Sequence, residues 1–277
     1  MNSLKDKVIV ITGAGSGIGL ALARQCATAG ASLALSDINA ESLQNIADEL
    51  RVKKINIHTE VVDVSNDSAV IEWAQNVAAH YKHVDVIINN AGIALSQSAT
   101  TMTRTHWERV FNINFWGVVN GTSAFLPYLR KQPESHIVNI SSVFGLVSMP
   151  TQAAYNASKF AVRGYTEALR QDLAGTGINI TCIHPGGVKT NLVKTGEHFD
   201  GFDGAQTSTE EVSSLFEKIA LTSPEKAASI IIQGILKNRR RVLVGMDAKI
   251  LDWVQRLLPA SYDQLLLPAI RWGTRYI

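Results

Sequence analysis

Short apolar runs rich in β-branched residues alternate along the chain with longer segments of mixed polarity. Consecutive apolar positions are typical of parallel strands buried on both faces, and the intervening segments are long enough for helical crossovers. The pattern therefore predicts a parallel sheet. Its strands are predicted at residues 8–12, 32–36, 56–62, 84–89, 136–141, 179–184 and 242–244.

The segments between these strands carry apolar residues at three- and four-residue spacing, as at Ile18, Leu22 and Cys26. Such faces belong to amphipathic helices that pack on a sheet. The alternation predicts an α/β fold, a doubly wound Rossmann-type parallel sheet in a single domain. Its longest helices are predicted at residues 103–131 and 152–174. Residues 186–209, with several glycines, are predicted to form a mobile loop over a site.

The last part of the chain departs from this alternation. Apolar residues recur at helical spacing before and after Pro259, which predicts a C-terminal extension of two short amphipathic helices at residues 248–277, joined to a domain of residues 1–247. Its apolar surface must be covered by the substrate loop or a partner subunit, by the parent domain alone, or by a membrane surface. These apolar positions are Ile250, Leu251, Trp253, Val254, Leu257, Leu258, Leu265, Leu266, Leu267, Ile270 and Trp272.

The composition favours small-molecule chemistry. The 277 residues carry a formal net charge of only +2, and the one basic run, at residues 237–241, is too short for a nucleic-acid surface. We expect no nucleic-acid partner, and the histidine spacing indicates no metal site. The chain has neither a signal-peptide pattern nor an apolar run long enough for a transmembrane segment. We therefore expect a cytoplasmic protein in which Cys26 and Cys182 are buried and reduced.

A glycine-rich turn follows the first predicted strand, with the sequence Thr-Gly-Ala-Gly-Ser-Gly-Ile-Gly at residues 12–19. Glycines let the main chain approach a pyrophosphate closely, and the next helix points its first N–H groups at the anion. A tight turn without any ligand is the alternative. Asp37 ends the second strand, where its carboxylate can accept hydrogen bonds from a ribose hydroxyl and repel a 2′-phosphate. Alternatively, Asp37 caps the helix that starts near Asn39.

Residues 5–190 resemble the short-chain dehydrogenase/reductase family. Besides the glycine turn, the motifs that carry the resemblance are Asp63-Val64, Asn89-Asn90-Ala91-Gly92, Asn114, Ser141-Ser142, Tyr155 with Lys159, and Pro185-Gly186 followed by Val188 and Thr190.

The resemblance implies a nicotinamide dinucleotide cofactor. In the family, a basic residue at the position of Ser16 or Ile38 usually accompanies NADP, and neither residue is basic here. Together with Asp37, this favours NAD, with NADP as the alternative. The implied cofactor contacts are Gly13, Ser16, Gly17, Ile18, Gly19, Asp37, Ile38, Asp63, Val64, Asn90, Ala91, Gly92, Tyr155, Lys159, Pro185, Gly186, Val188 and Thr190.

The same resemblance implies a catalytic set of Ser142, Tyr155, Lys159 and Asn114. Tyr155 and Lys159 are four residues apart in a predicted helix and therefore share one face. An ammonium group beside the phenol, together with the positive nicotinamide ring, is expected to lower the pKa of Tyr155, which acts as general acid/base. Ser142 is expected to hydrogen-bond the reacting oxygen, and Asn114 to hold a water that links the lysine to solvent.

These residues predict an oxidoreductase that transfers hydride between the cofactor and an alcohol, ketone or aldehyde. The pocket positions are apolar, which favours an apolar substrate. The resemblance implies that the two longest helices pair in a homodimer or higher homo-oligomer, and peripheral membrane contact through the extension stays open. A catalytically silent dinucleotide-sensing regulatory protein is the alternative, although a sensor would not need all four catalytic residues. The pocket positions are Leu95, Val143, Phe144, Leu146 and Met149, below a loop at residues 191–202.

Overall fold

A parallel sheet forms the centre of the computed structural model, which describes residues 1–201, 204–266 and 268. The strands in these residues are β1 (Val8–Thr12), β2 (Ser32–Asp37), β3 (Ile57–Val61), β4 (Val86–Asn89), β5 (Leu95–Ser96), β6 (Ser135–Ile140), β7 (Ile178–Pro185), β8 (Glu197–His198) and β9 (Arg241–Val244). Seven of them form the central sheet in the order β3-β2-β1-β4-β6-β7-β9. All seven predicted strands are therefore confirmed.

Helices cover both faces of this sheet. They are α1 (Gly17–Thr28), α2 (Ala40–Val52), α3 (Asp67–Tyr81), α4 (Arg104–Phe111), α5 (Gly117–Leu129), α6 (Ala153–Asp172), α7 (Thr209–Ile219), α8 (Pro224–Leu236) and α9 (Met246–Leu257). Apolar side chains of α1, α2 and α8 form the core on one face, and those of α3, α5 and α6 form the core on the other. The doubly wound fold predicted from the sequence is confirmed.

The helix predicted at residues 103–131 is interrupted. A π-helical turn, Asn112–Trp116, joins α4 to α5. The wider turn shifts the face that later residues present, and Asn114 at its centre is completely buried. Sequence periodicity missed the turn because one wide turn changes the spacing of apolar residues very little.

The loop predicted at residues 186–209 contributes one strand to a second, two-stranded sheet. Its strand β8 pairs with β5, a short strand just after β4, so the middle of the loop is attached to the sheet's carboxyl edge. Two-residue strands are too short to give a periodic pattern, and the sequence did not predict either one. Phe202, at the end of the predicted pocket loop, lies outside the described residues.

The C-terminal extension begins earlier than predicted, because α9 starts at Met246. The C-terminal extension is therefore defined as residues 246 onward. Residues 262–266 are helical as well, whereas Leu267, Ile270 and Trp272 of the predicted second helix lie outside the described residues. None of the helices in the described part of the chain is long and apolar enough to cross a membrane.

The extension packs on the parent domain with one side only. Ala248 and Leu251 of α9 join a small apolar cluster with Val143 and Val147, which follow β6. The opposite side of α9 carries large apolar groups that are exposed, namely Met246, Ile250, Trp253 and Leu257. The predicted amphipathic helix is present, but much of its apolar stripe faces away from the domain.

Candidate active site

The glycine turn between β1 and α1 packs closely against the end of β4. Gly13 has a φ of +64°, and a Cβ there would lie 2.8 Å from the Ala91 Cα. A Cβ on Gly19 would collide with the Gly13 carbonyl oxygen. The Asn90 side chain donates to that same oxygen and to the Thr12 carbonyl, each at 3.0 Å. Main-chain packing therefore requires glycine here and leaves the first N–H groups of α1 facing an open edge of the sheet.

Asp37 is tied to the glycine turn at the end of β2. One carboxylate oxygen accepts from Gly15 N at 2.8 Å, and the other accepts from Asn39 N at 2.9 Å. The cap of α2 is Asn39, whose side chain accepts from Ser42 N at 2.8 Å. The helix-cap alternative for Asp37 is therefore wrong, because the residue two positions later fills that role. Ile38 beside it is 68% exposed.

The other predicted cofactor contacts follow the carboxyl edge of the sheet. Val64 is buried and its carbonyl oxygen accepts from the Asn120 side chain at 3.0 Å, while Asp63 is exposed beyond β3. At the far side, the loop after β7 reaches the glycine turn, since a Cβ on Gly17 would lie 3.0 Å from the Thr190 methyl group. Together they outline a groove across β1 and β4, where the strand order changes direction. The predicted contacts along it are Gly13, Ser16, Gly17, Ile18, Gly19, Asp37, Ile38, Asp63, Val64, Asn90, Ala91, Gly92, Pro185, Gly186, Val188 and Thr190.

Three of the predicted catalytic side chains lie together beside this groove. Ser142 follows β6 and is 8% exposed, and Tyr155 and Lys159 on α6 are 8% and 4% exposed. The Lys159 ammonium donates to the Ile140 carbonyl oxygen at 3.1 Å and lies 5.7 Å from the centre of the Tyr155 ring. Phe144 packs edge-on against the same ring. The structure thus combines a phenol, a hydroxyl and an ammonium in one buried pocket.

Burial determines the protonation of this pocket. It raises the pKa of Tyr155 to about 12, although the hydrogen bond with Ser142 acts in the opposite direction. It also lowers the pKa of Lys159 to about 8. In the chain without a cofactor, desolvation of the phenolate therefore dominates the pKa of Tyr155, and the lowering expected from the lysine together with the nicotinamide ring stays a prediction.

Asn114 connects the catalytic helix to the loop after β4. Its Oδ1 accepts from Ile93 N at 2.8 Å, and its Nδ2 donates to the Ile93 carbonyl at 3.0 Å and to Ser158 Oγ at 3.3 Å. A Cβ on the neighbouring Gly92 would lie 3.1 Å from Asn114 Oδ1 and 3.5 Å from Lys159 Nζ. The asparagine thus holds the loop beside the lysine, and its role toward a water stays a prediction.

His184, at the end of β7, holds the main chain of Ser142 in place. Its Nδ1 lies 3.0 Å from the Ser142 carbonyl oxygen, and the ring is completely buried. Burial lowers the pKa of His184 to about 4, so the ring is neutral and Nδ1–H is the donor. The only sequence signal was its position at the end of a strand, next to Pro185.

Two more side chains reach the site from the C-terminal extension, and neither could be predicted from the sequence. Asp247 accepts from Gly187 N, and the Tyr262 hydroxyl accepts from Ser148 N at 2.9 Å. The partners are 60 and 114 residues apart along the chain, so no local spacing could have revealed them.

Comparison with known proteins gives a consistent result. A family profile described as short chain dehydrogenase matches residues 7–200. An oxidoreductase named SadH from Mycobacterium tuberculosis is 43% identical over 272 residues, which cover 98% of this chain and 97% of that protein. A solved short-chain dehydrogenase/reductase from Burkholderia phymatum in complex with NAD has a TM-score of 0.84 and 28% identity, over 93% of this chain and 95% of that one. Levodione reductase has a TM-score of 0.79 and 25% identity, over 89% and 98%.

Proposed function

The chain belongs to the short-chain dehydrogenase/reductase family, and from this premise we propose that it is an oxidoreductase that interconverts an alcohol and a ketone or aldehyde with a nicotinamide dinucleotide. One observation carries the proposal. Ser142, Tyr155 and Lys159 are buried together beside the groove that starts at the glycine turn. A protein that only senses a dinucleotide would need the groove but not a buried acid/base group next to it.

The groove fits a dinucleotide. The glycine turn lets the main chain run close to the end of β4, where a Cβ at Gly13 or Gly19 would collide with neighbouring protein atoms, and the start of α1 offers N–H groups to a pyrophosphate. Asp37 would accept a hydrogen bond from a ribose hydroxyl, and its negative charge would repel a 2′-phosphate. We therefore propose NAD as the preferred cofactor and NADP as a poorer one. Residues 185–190 after β7, with Tyr155 and Lys159, would hold the nicotinamide end. When bound, the nicotinamide supplies or accepts the hydride.

Tyr155 would exchange the proton with the substrate. Because burial raises its pKa to about 12, the phenol is protonated at neutral pH and is ready to donate to a carbonyl oxygen. In the direction of alcohol oxidation the phenolate must form, and the nearby Lys159 ammonium would stabilise it once the site carries further positive charge. Ser142 would donate a hydrogen bond to the same substrate oxygen, and Asn114 and His184 hold the loop and the serine in place.

We propose an apolar substrate. Phe144 and Met149 lie beside the reacting end, and the extension adds Tyr262 to the same side. This surface offers aromatic and aliphatic groups, which suit an alcohol or carbonyl compound with a hydrocarbon frame better than a carboxylate or phosphate.

We also propose that the protein is a cytoplasmic homodimer or higher homo-oligomer. Trp116, which is 49% exposed, and Phe160, which is 37% exposed, lie on the outer side of the helices next to the catalytic pocket. A second copy would cover these aromatic groups. Light scattering of the purified protein would test this part of the proposal.

An absorbance assay at the nicotinamide wavelength tests the proposed reaction. Purified protein would be tested with NAD and NADP against secondary alcohols such as 2-octanol and cyclohexanol, and with the reduced cofactors against their ketones. Tyr155→Phe should keep NADH binding but lower kcat by at least about a hundredfold, the effect of losing a general acid/base. Turnover that is unchanged in Tyr155→Phe would refute the assigned chemistry, and absence of nicotinamide binding in the unmodified protein would refute the function itself.

A further inference from the structure

We propose that the C-terminal extension positions both ends of the reacting site through two side chains, Asp247 for the loop at residues 186–190 and Tyr262 for the segment at residues 142–150. The inference rests on the proposed function, because it assigns the first loop to the cofactor and the second segment to the substrate. Both residues act through main-chain atoms of other residues and are therefore positioning residues.

Asp247 lies in the first turn of α9 and points at the end of β7. Its Oδ2 accepts from Gly187 N at 2.5 Å. The Gly187 carbonyl oxygen in turn accepts from Thr222 N at 3.2 Å, and Val188 forms a β-bridge with Thr222. A carboxylate at the positive end of a helix is favourable for the helix as well. The loop that would hold the nicotinamide end is therefore hydrogen-bonded to the first turn of α9 at Gly187.

Glycines surround the Asp247 carboxylate on three sides. A Cβ on Gly186 or on Gly245 would collide with its oxygens, and a Cβ on Gly187 would lie 3.5 Å from Oδ2. Two chain segments thus approach the carboxylate at distances that only glycine allows at positions 186 and 245. Such an approach fixes where residues 186 and 187 lie, because neither segment can move toward the carboxylate or accept a larger side chain.

Tyr262 provides the second anchor. Its hydroxyl oxygen accepts from Ser148 N at 2.9 Å, and its ring packs in the apolar cluster that includes Val143, Phe144 and Val147. Ser142 and Met149 belong to the same segment. The hydrogen bond and the ring of Tyr262 therefore position both the serine that would contact the reacting oxygen and the residue that would line the substrate pocket.

The two anchors are far apart in the extension and hold different loops. Loss of Asp247 should therefore affect cofactor binding and loss of Tyr262 should affect the substrate, whereas a general loss of stability would affect both. Asp252 offers a matched control. It lies on the same helix and pairs with Arg241 at 2.9 Å, a residue of β9 outside both loops.

The experiment compares Asp247→Ala, Asp247→Asn, Tyr262→Phe and Asp252→Asn with the unmodified chain. The readouts are NADH affinity by fluorescence, KM for NAD and for 2-octanol, and amide hydrogen exchange. Loss of a charged hydrogen-bond partner should weaken NADH binding by about tenfold in Asp247→Ala. Asp247→Asn keeps an acceptor and should recover most of this loss. Tyr262→Phe should raise KM for 2-octanol severalfold and leave NADH affinity unchanged.

Hydrogen exchange should increase at residues 186–190 in Asp247→Ala and at residues 142–150 in Tyr262→Phe, and at neither in Asp252→Asn. Equal effects of the two variants on both ligands, or exchange that rises throughout the chain, would overturn the proposal and leave the extension a purely stabilising element. If the unmodified protein binds NADH but does not oxidise the alcohol, the proposed reaction fails, and the exchange pattern and NADH affinity still decide the positioning roles. If it binds no NADH, the proposed function fails, while exchange alone decides whether the anchors exist.

Discussion

The two ends of the candidate site are built by different physical means. At the cofactor end, main-chain atoms of the glycine turn and the Asn90 side chain make the shape, and the acidic groups Asp37 and Asp63 are half-buried and exposed, respectively. At the reacting end, Tyr155 and Lys159 are ionisable groups buried almost completely. Binding at the cofactor end therefore depends on steric fit. Protonation at the reacting end depends on the free energy of keeping a charged group away from water.

The ends are alike in that each combines a local motif with distant supports. At the cofactor end, Gly13 packs on Gly19 within one turn, and Asn90 contacts this turn from 77 residues away. At the reacting end, Tyr155 and Lys159 share one helix, whereas His184 and the extension hold their partners across 42 to 114 residues. A short motif can describe the local part of each end, but only the folded chain shows the supports.

The largest effect is expected from a single methyl group at the cofactor end. In Gly19→Ala, the new Cβ would collide with the Gly13 carbonyl and lie 2.6 Å from Asn90 Nδ2. Overpacking of this kind costs about 1–3 kcal/mol, and its relief must displace the Gly13 carbonyl or the Asn90 side chain. A turn displaced in this way should bind NADH roughly tenfold to a hundredfold more weakly if the cost falls on the bound form. Fluorescence titration of NADH would measure it.

Gly164→Ala is the matched control for this prediction. Gly164 lies within α6, and nothing stands within 4 Å of a Cβ at that position. Alanine favours a helix over glycine, so the variant should bind NADH normally and be slightly more stable. Normal NADH binding by Gly19→Ala would mean that the turn does not hold the cofactor.

This contrast explains how much the sequence could predict. The seven strands and the glycine turn were predicted because apolar runs and glycine spacing are local signals. The sequence analysis offers Asp37 as the alternative cap of α2, whereas Asn39 is the cap, because both residue types cap helices and only the fold shows which one reaches Ser42. Helical spacing predicts that a charge lies beside the Tyr155 phenol. It does not predict the burial of the phenol, which raises its pKa in the chain without a cofactor.

The contacts that the sequence could not predict all cross between distant segments. Asp247 reads as an ordinary acidic residue in the first turn of a helix, and Tyr262 as one aromatic residue after a proline. Nothing near them in the chain indicates that Gly187 and Ser148 are their partners. The short strands β5 and β8 could not be predicted for the same reason, since each is a strand only because it pairs with the other, about 100 residues away in the chain.

The second prediction tests the electrostatic character of the reacting end. Burial lowers the pKa of Lys159 from 10.5 to about 8, so between these values the unfolded chain binds more protons than the folded chain. Folding stability contributed by this lysine must therefore rise with pH through that window. Lys159→Met removes the titrating group and with it this dependence of folding stability on pH. Relative to that variant, the unmodified protein should gain up to roughly 3 kcal/mol between pH 8 and pH 10.5.

Urea unfolding at several pH values would measure this gain. Lys131→Met, at an exposed lysine of the same chain, controls for the loss of one surface charge. A constant difference between the unmodified protein and Lys159→Met over this pH range would show that the ammonium is better hydrated than its burial indicates. In that case the two ends of the site would differ less than we argue.

The third prediction concerns Asp37, the charged group at the glycine turn of the cofactor end. Asp37→Ala combined with Ile38→Arg removes the repulsion of a 2′-phosphate and adds a cationic partner, so the ratio of kcat/KM for NADP to that for NAD should rise by about tenfold or more. Asp37→Asn keeps an acceptor for Gly15 N and removes only the charge, and its ratio should be intermediate. A preference for NADP in the unmodified protein would refute the role given to Asp37.

The smallest effect is expected at the back of the reacting end, on the outer side of α9. Trp253 is 66% exposed, so Trp253→Ser should change the free energy of unfolding by no more than about 0.5 kcal/mol. Leu251, two residues earlier, is half-buried in the cluster with Val143, and Leu251→Ser should cost about 1–2 kcal/mol because it removes apolar contacts from that cluster. Urea unfolding followed by circular dichroism compares them directly. A loss at Trp253 as large as at Leu251 would mean that this side of the helix is covered in solution. The cover would then be a surface outside the single chain, such as a second subunit, and the exposed apolar groups of α9 would form a contact with it.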